Sequence, residues 1–140
     1  MSQVIEKLTN FYKEFSLNSL VDLTQIYAKE VVFVDPLHRI EGVDRLARYF
    51  EASMRGMTAC SFEFDRTMID DDAAFLEWRM IYRHPRLRRG EELLLNGTSL
   101  VKFCDKITYH RDYYDAGQLF YEHVPLMGSV LSVLKKRIAR

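Results

Sequence analysis

The chain has 140 residues, 48% of them apolar and 29% charged, enough for one domain with a proper core. Lys+Arg and Asp+Glu number 20 each, so no global field draws the protein to nucleic acid or to a membrane surface. Cys60 and Cys104 show no C-x-x-C spacing, MSQVIEKLTN lacks the basic start and apolar run of a signal peptide, and no apolar run is long enough to span a bilayer. The expectation is a soluble, reduced, cytoplasmic domain.

Val4, Ile5, Leu8, Phe11, Tyr12 and Phe15 recur at helical spacing, which predicts an amphipathic helix over 3–16. Asn18 and Ser19 break it and cap a second, shorter helix over 20–27. VVFVD at 31–35 is β-branched and aromatic, a strand that ends at Pro36. Gly42 precedes a third helix, whose stripe is Val43, Leu46, Ala47, Phe50, Met54 and Met57. The period then changes to two. Strands are predicted over 59–68, 74–83, 92–104 and 105–115, with Asp70-Asp71-Asp72 and HPRLRRGE among the connections. Helices followed by antiparallel strands predict an α+β fold with helices on one face of a curved sheet. After Gly117 and Pro125 a last helix over 126–138 carries Met127, Val130, Leu131, Leu134 and Ile138. The chain is read as one domain, 1–140, with 124–140 as a helical extension.

DKITYHRDYYD, at 105–115, is the most informative stretch. Alternation puts Thr108, His110, Asp112 and Tyr114 on one face, and Ile107, Tyr109, Arg111, Tyr113 and Asp115 on the other. A strand facing an ordinary core presents Val, Ile or Leu, so a central strand of this composition lines something that accepts Asp112. The competing reading is an ion pair of Asp112 with Arg79 or Arg111. His110 shares the face of Asp112 and is placed either to orient it or to carry a proton near neutral pH. Asp35 is either a second pocket carboxylate or the start of a turn with its own backbone around Pro36. His38 follows it in a loop. Trp78 shares a strand face with Leu76 and Met80 as core or pocket wall, while Tyr12, Tyr114 and Ser99 are candidate donors to a substrate oxygen.

The histidines are scattered, with no H-x-H or H-E-x-x-H, so no metal site is expected. Phosphate loops, dinucleotide fingerprints and the G-x-S-x-G elbow are also missing from the sequence, so no cofactor is expected. The cluster Arg83, His84, Arg86, Arg88 and Arg89 is read as a solvated connection that blunts a sheet edge rather than a nucleic-acid grip. Lys135, Lys136, Arg137 and Arg140 suit the end of a helix, which packs on the domain or on a partner subunit rather than on a membrane.

Tyr27-Ala28, VVFVDP at 31–36 and EGVDRLARYF at 41–50 resemble the opening of the nuclear-transport-factor-2-like superfamily, which includes SnoaL-like proteins, ketosteroid isomerases and limonene-epoxide hydrolases. The resemblance covers about 3–115. It implies a cone: a strongly bent antiparallel sheet around a deep pocket closed by helices, in a homodimer formed through the outer sheet face. In ketosteroid isomerases the Asp of an Asp-Pro motif is the general base, and Asp35-Pro36 matches it. The tyrosine and aspartic acid of that enzyme's oxyanion hole fall here on Phe11 or Tyr12 and on Ser99. HRDYYD at 110–115 is similar to the limonene-epoxide hydrolase motif whose Asp activates water, which points to Asp112. The Arg-x-Asp partner of that enzyme falls on Trp78-Arg79-Met80, without the carboxylate. Both templates are incomplete. The expectation is cofactor-free acid/base chemistry, isomerisation or water addition, on a small, largely apolar molecule with one polar handle. The rival from another class is a non-catalytic ligand-binding or assembly module on the same fold.

Overall fold

The computed structural model describes residues 2–118 and 136–139. Helix α1 (Gln3–Lys13) buries Val4, Ile5, Leu8, Phe11 and Tyr12, the predicted stripe, on one side. The predicted second helix is different. A 3-10 segment, Leu17–Asp22, leads into a single α-turn, α2 (Leu23–Ile26), and Tyr27 already begins strand β1 (Tyr27–Val34). Tertiary pairing overrides local preference here, because Tyr27 is held by Ile107 across the sheet and is almost fully buried. A short strand, β2 (Arg39–Glu41), and helix α3 (Val43–Gly56) follow. Gly42, between them, has φ of +93°, a conformation that favours glycine, and donates its N–H to Val31 O at 2.8 Å. Strands β3 (Ala59–Ile69), β4 (Ala73–Arg83), β5 (Leu93–Phe103) and β6 (Ile107–Tyr114) complete the sheet.

The sheet is open, in the order β2-β1-β6-β5-β4-β3. Every pair is antiparallel except β1 with β6, which runs parallel, so the expected antiparallel sheet is mixed. The cause is topological. β1 is separated from the later strands by α3, and a crossover of that length permits a parallel return. Register shifts between Phe64 and Thr67 and between Lys102 and Phe103 interrupt the long strands, as bulges that bend a sheet do. The second shift also moves Thr108 off the inner face expected for it: Thr108 is exposed, and Ile107 is buried instead.

Helices α1 and α3 cover the inner face, where Leu8, Phe50, Val31, Phe33, Leu76 and Val101 belong to one apolar cluster. A smaller cluster, Trp78, Tyr82, Leu93 and Leu95, lies toward the other end of β4 and β5. The outer face carries exposed Phe75, Leu94 and Tyr113 beside an ion pair of Arg79 with Glu63 at 2.9 Å. The predicted last helix, 126–138, lies outside the described residues except for its end, where 136–138 are helical. No helix among the described residues is long and apolar enough to cross a membrane.

Candidate functional site

Between the helices and the inner sheet face lies a cavity of about 310 Å³. Its walls are largely aromatic and aliphatic, including Phe33, Phe50, Phe62, Trp78, Met80 and Leu95, and both Asp35 and Asp112 line it. Strand register explains the arrangement. Asp112 pairs with Ser99, which pairs with Leu76; one step along, Tyr114 pairs with Gly97 and Gly97 with Trp78. Alternation keeps Leu76, Trp78, Met80 and Tyr82 facing inward along β4.

Asp112 is gripped through one oxygen. Ser99 Oγ donates to its Oδ1 at 2.5 Å and His110 Nε2 lies 2.7 Å from the same atom. No described residue hydrogen-bonds Oδ2. Behind this pair a buried line of bonds runs inward: Tyr27 Oη lies 2.7 Å from His110 Nδ1, and Tyr12 Oη lies 2.9 Å from Tyr27 Oη. Every hydroxyl on that line is used when Tyr12 donates to Tyr27, Tyr27 donates to Nδ1 of the neutral ring, and Nε2–H donates to Asp112. Burial, first of all, pushes both phenols well above their ordinary range, with the Asp112 charge adding to it, so both remain protonated donors. On the other side Trp78 Nε1–H donates to Ser99 Oγ at 2.8 Å, which orients the hydroxyl toward Asp112.

Asp35 is bound differently. Its Oδ1 accepts the N–H groups of Leu37 and His38, each at 2.8 Å, and lies 3.3 Å from His38 Nδ1. Its Oδ2 accepts the Tyr49 hydroxyl. Asp35 thus lines the cavity and also closes the turn around Pro36; the two readings of it are compatible. Burial and the Asp35 carboxylate push the Tyr49 hydroxyl far up, so Tyr49 stays a donor. Asp35→Ala leaves two backbone donors and one phenol without their acceptor. It is expected to cost about 1–3 kcal/mol of stability, seen as a lower urea midpoint, with a smaller change for Asp35→Asn. An unchanged midpoint in Asp35→Ala would mean that water serves the turn equally well.

The expected site residues fall into groups. Asp112, Asp35, Tyr12, Trp78 and Tyr114 all line the cavity. Ser99 and His110 stand behind it as partners of Asp112, so Ser99 is not positioned as a donor to substrate. Phe11 is buried in the core, and of the two first-helix alternatives it is Tyr12 that reaches the cavity. His38 is half-exposed at the outer edge, touching Asp35. The competing ion pair is also accounted for: Arg79 bonds Glu63 on the outer face, and Arg111 lies over the Tyr113 ring. Among the described residues no group of three His, Cys, Asp or Glu side chains could hold a metal ion.

Three residues around the site are not among the candidates the sequence marks. Tyr27 looked like the end of a helix, although its place in Tyr27-Ala28 before a strand was visible. Tyr49 flanks the α3 stripe, one residue before Phe50. Tyr82 continues the inward period of Leu76, Trp78 and Met80, and that spacing would have found it.

Tyr114, like Tyr49, is a cavity phenol that feels both carboxylates. Burial, then Asp35, then Asp112 push its hydroxyl well up, which keeps it a hydrogen-bond donor.

Comparison with known proteins agrees with this architecture. A family model described as SnoaL-like domain matches residues 8–110. No curated protein matches the chain. Among solved structures, a nuclear-transport-factor-2-like protein of unknown function from Burkholderia pseudomallei superposes with a TM-score of 0.75 at 12% identity, covering 89% of this chain and 99% of that one. A protein from a Jannaschia species, provisionally described as a SnoaL-like polyketide cyclase, gives 0.74 at 10% identity, over 86% and 91% of the two chains. A hypothetical protein of ketosteroid-isomerase-like fold from Catenulispora acidiphila, crystallised in complex with trimethylamine, gives 0.73 at 12% identity, over 86% and 92%. At such identities these neighbours speak to the fold.

Proposed function

The chain belongs to the SnoaL-like domain family, whose model matches residues 8–110, and from that membership and the cavity we propose a cofactor-free acid/base enzyme acting on a small, largely apolar molecule. The observation that carries the proposal is the asymmetric binding of Asp112: Oδ1 is fixed by Ser99 and His110, while Oδ2 has no described partner in a residue that lines the cavity.

In this reading Asp112 Oδ2 takes a proton from a carbon acid or from water. The step needs a base held in one orientation beside an apolar wall, and that is what the two Oδ1 bonds provide. His110 acts through Asp112 as a positioning residue, with its tautomer set by the Tyr27 hydroxyl. Tyr114, two residues along the same strand, donates to the substrate oxygen as negative charge develops there. Asp35 is occupied by four donors and serves to shape the wall, not as the base. Isomerisation and water addition use the same parts. Among the described residues no Lys or Arg lines the cavity and two carboxylates do, which favours a neutral ligand over an anionic one.

The test uses β-tetralone, a bicyclic apolar ketone with one carbonyl, and follows exchange of its α-hydrogens for deuterium by NMR. The protein is expected to accelerate exchange well above the buffer rate. If neither that exchange nor the hydration of cyclohexene oxide is accelerated, the proposal fails and ligand binding without turnover becomes the better reading.

A further inference from the structure

Both acids that line the cavity are committed to accepting hydrogen bonds. The backbone N–H groups of Leu37 and His38 can only donate, so Asp35 Oδ1 must accept. Ser99 Oγ receives the Trp78 Nε1–H and turns its own hydrogen to Asp112 Oδ1. These bonds suit two carboxylates rather than two carboxylic acids. Their field crosses the cavity: Tyr49 on α3 and Tyr114 on β6 are each pushed up by burial first and then by both acids. Among the described residues no Lys or Arg lines the space to balance it. The basic groups at hand are histidines. His110 meets Asp112 as a neutral ring whose Nδ1 takes the Tyr27 hydroxyl, His38 touches Asp35 from the outer edge, and His84 lines the cavity beside Gly56.

Much of the remaining wall is aromatic. Phe33 from β1, Tyr49 and Phe50 from α3, Phe62 from β3, Trp78 from β4 and Tyr114 from β6 surround one space. The Phe62 and Trp78 rings meet at 72° and the Trp78 and Tyr114 rings at 61°, so they curve around the space instead of stacking. Ring faces attract cations through their quadrupole, most strongly where water is excluded. An ammonium group that leaves water for an apolar space loses its hydration, and needs carboxylates or ring faces in exchange. This cavity supplies both. A neutral group gains little from the same field, and an anion is repelled by it.

We propose that the cavity selects for positive charge, and that its ligand is a small, mainly hydrocarbon molecule bearing a protonated or quaternary amine. The charge is held by the ring faces and by the joint field of Asp35 and Asp112. Asp112 Oδ2 thereby stays open to the reacting proton. The inference rests on the reading of the cavity as a small-molecule site and names the charge of the molecule it takes.

The test compares three compounds of one bicyclic skeleton by calorimetry at neutral pH: 2-aminotetralin, a cation; 2-tetralol, neutral; and tetralin-2-carboxylate, an anion. The amine is expected to bind wild type about ten- to hundredfold tighter than the alcohol, and the carboxylate weakest of all. Asp112→Asn and Asp35→Asn, which remove one charge each at almost constant shape, are each expected to weaken the amine about fivefold or more. Alcohol affinity should stay within about twofold in both. The wild-type comparison needs no variant, so poor folding of either one leaves it decisive. Alcohol binding as tightly as the amine in wild type would overturn the charge assignment while leaving the cavity reading intact. So would an amine preference that survives undiminished in both variants, since the attraction would then lie elsewhere on the protein. Binding of none of the three would overturn the cavity reading and the charge assignment together.

Discussion

Asp112→Asn is expected to lower the protein-catalysed exchange of β-tetralone by about 10²–10⁴-fold, the usual contribution of a positioned base. The substitution is clean because the amide oxygen can still accept from Ser99 Oγ and His110 Nε2, the two bonds that hold Asp112 Oδ1. What disappears is the basic lone pair on the second oxygen, replaced by an NH₂ group. The urea midpoint should therefore move little while the rate collapses. Asp35→Ala should show the reverse, with lost stability and a rate per folded molecule that falls by less than about tenfold. Should Asp112→Asn keep its exchange rate, the base is another group and the assignment of the chemistry to β6 is wrong.

What the sequence showed of this site was local. Period two in HRDYYD puts His110, Asp112 and Tyr114 on one face without knowledge of the neighbours, and the structure has them facing inward together. The helical stripe of α1 was equally plain, because an apolar face at 3.6 spacing needs no partner to be recognised. The network behind Asp112 was not legible. The Tyr27–His110 bond joins residues 83 apart and exists only because β1 lies parallel to β6, whereas a run of strands after helices suggests antiparallel neighbours. The sequence marks Ser99 as a candidate donor, but the direction of its hydroxyl is set by Trp78 on one side and Asp112 on the other. Pattern can place a side chain on a face. It cannot say which hydrogen bond that side chain will spend itself on.

Gly97→Ala is the second variant with a large expected effect. A Cβ at this position would lie 2.3 Å and 2.4 Å from two ring atoms of Trp78, far inside contact distance. The indole lies directly against the β5 backbone, and only a residue without a side chain leaves room for it. Trp78 must tilt away, which breaks its bond to Ser99 and drives the ring toward the cavity. Overpacking of this kind costs about 1–3 kcal/mol, and the lost hydrogen bond about 1 more. Trp78 is the only tryptophan in the chain, so its fluorescence reports the event without interference. A red-shifted emission and a lower urea midpoint are expected. Unchanged emission with a lowered midpoint would mean that β5 gives way instead of the indole.

The parallel pairing of β1 with β6 also has a consequence for how the chain matures. β1 is made early and can form only its small hairpin with β2 until β6, the last of the described strands in sequence, emerges to pair beside it. Contacts of such long sequence separation close late, because loop-closure entropy must be met before they stabilise anything. The last strand to dock is the one that carries His110 and Asp112, and its docking also satisfies the Tyr27 hydroxyl and completes the inner wall. Acquisition of the base and completion of the sheet are thus one event. A chain stalled before β6 exposes the free edges of β1 and β5 and has no site, so partly folded molecules are inert as catalysts and are the species most exposed to aggregation.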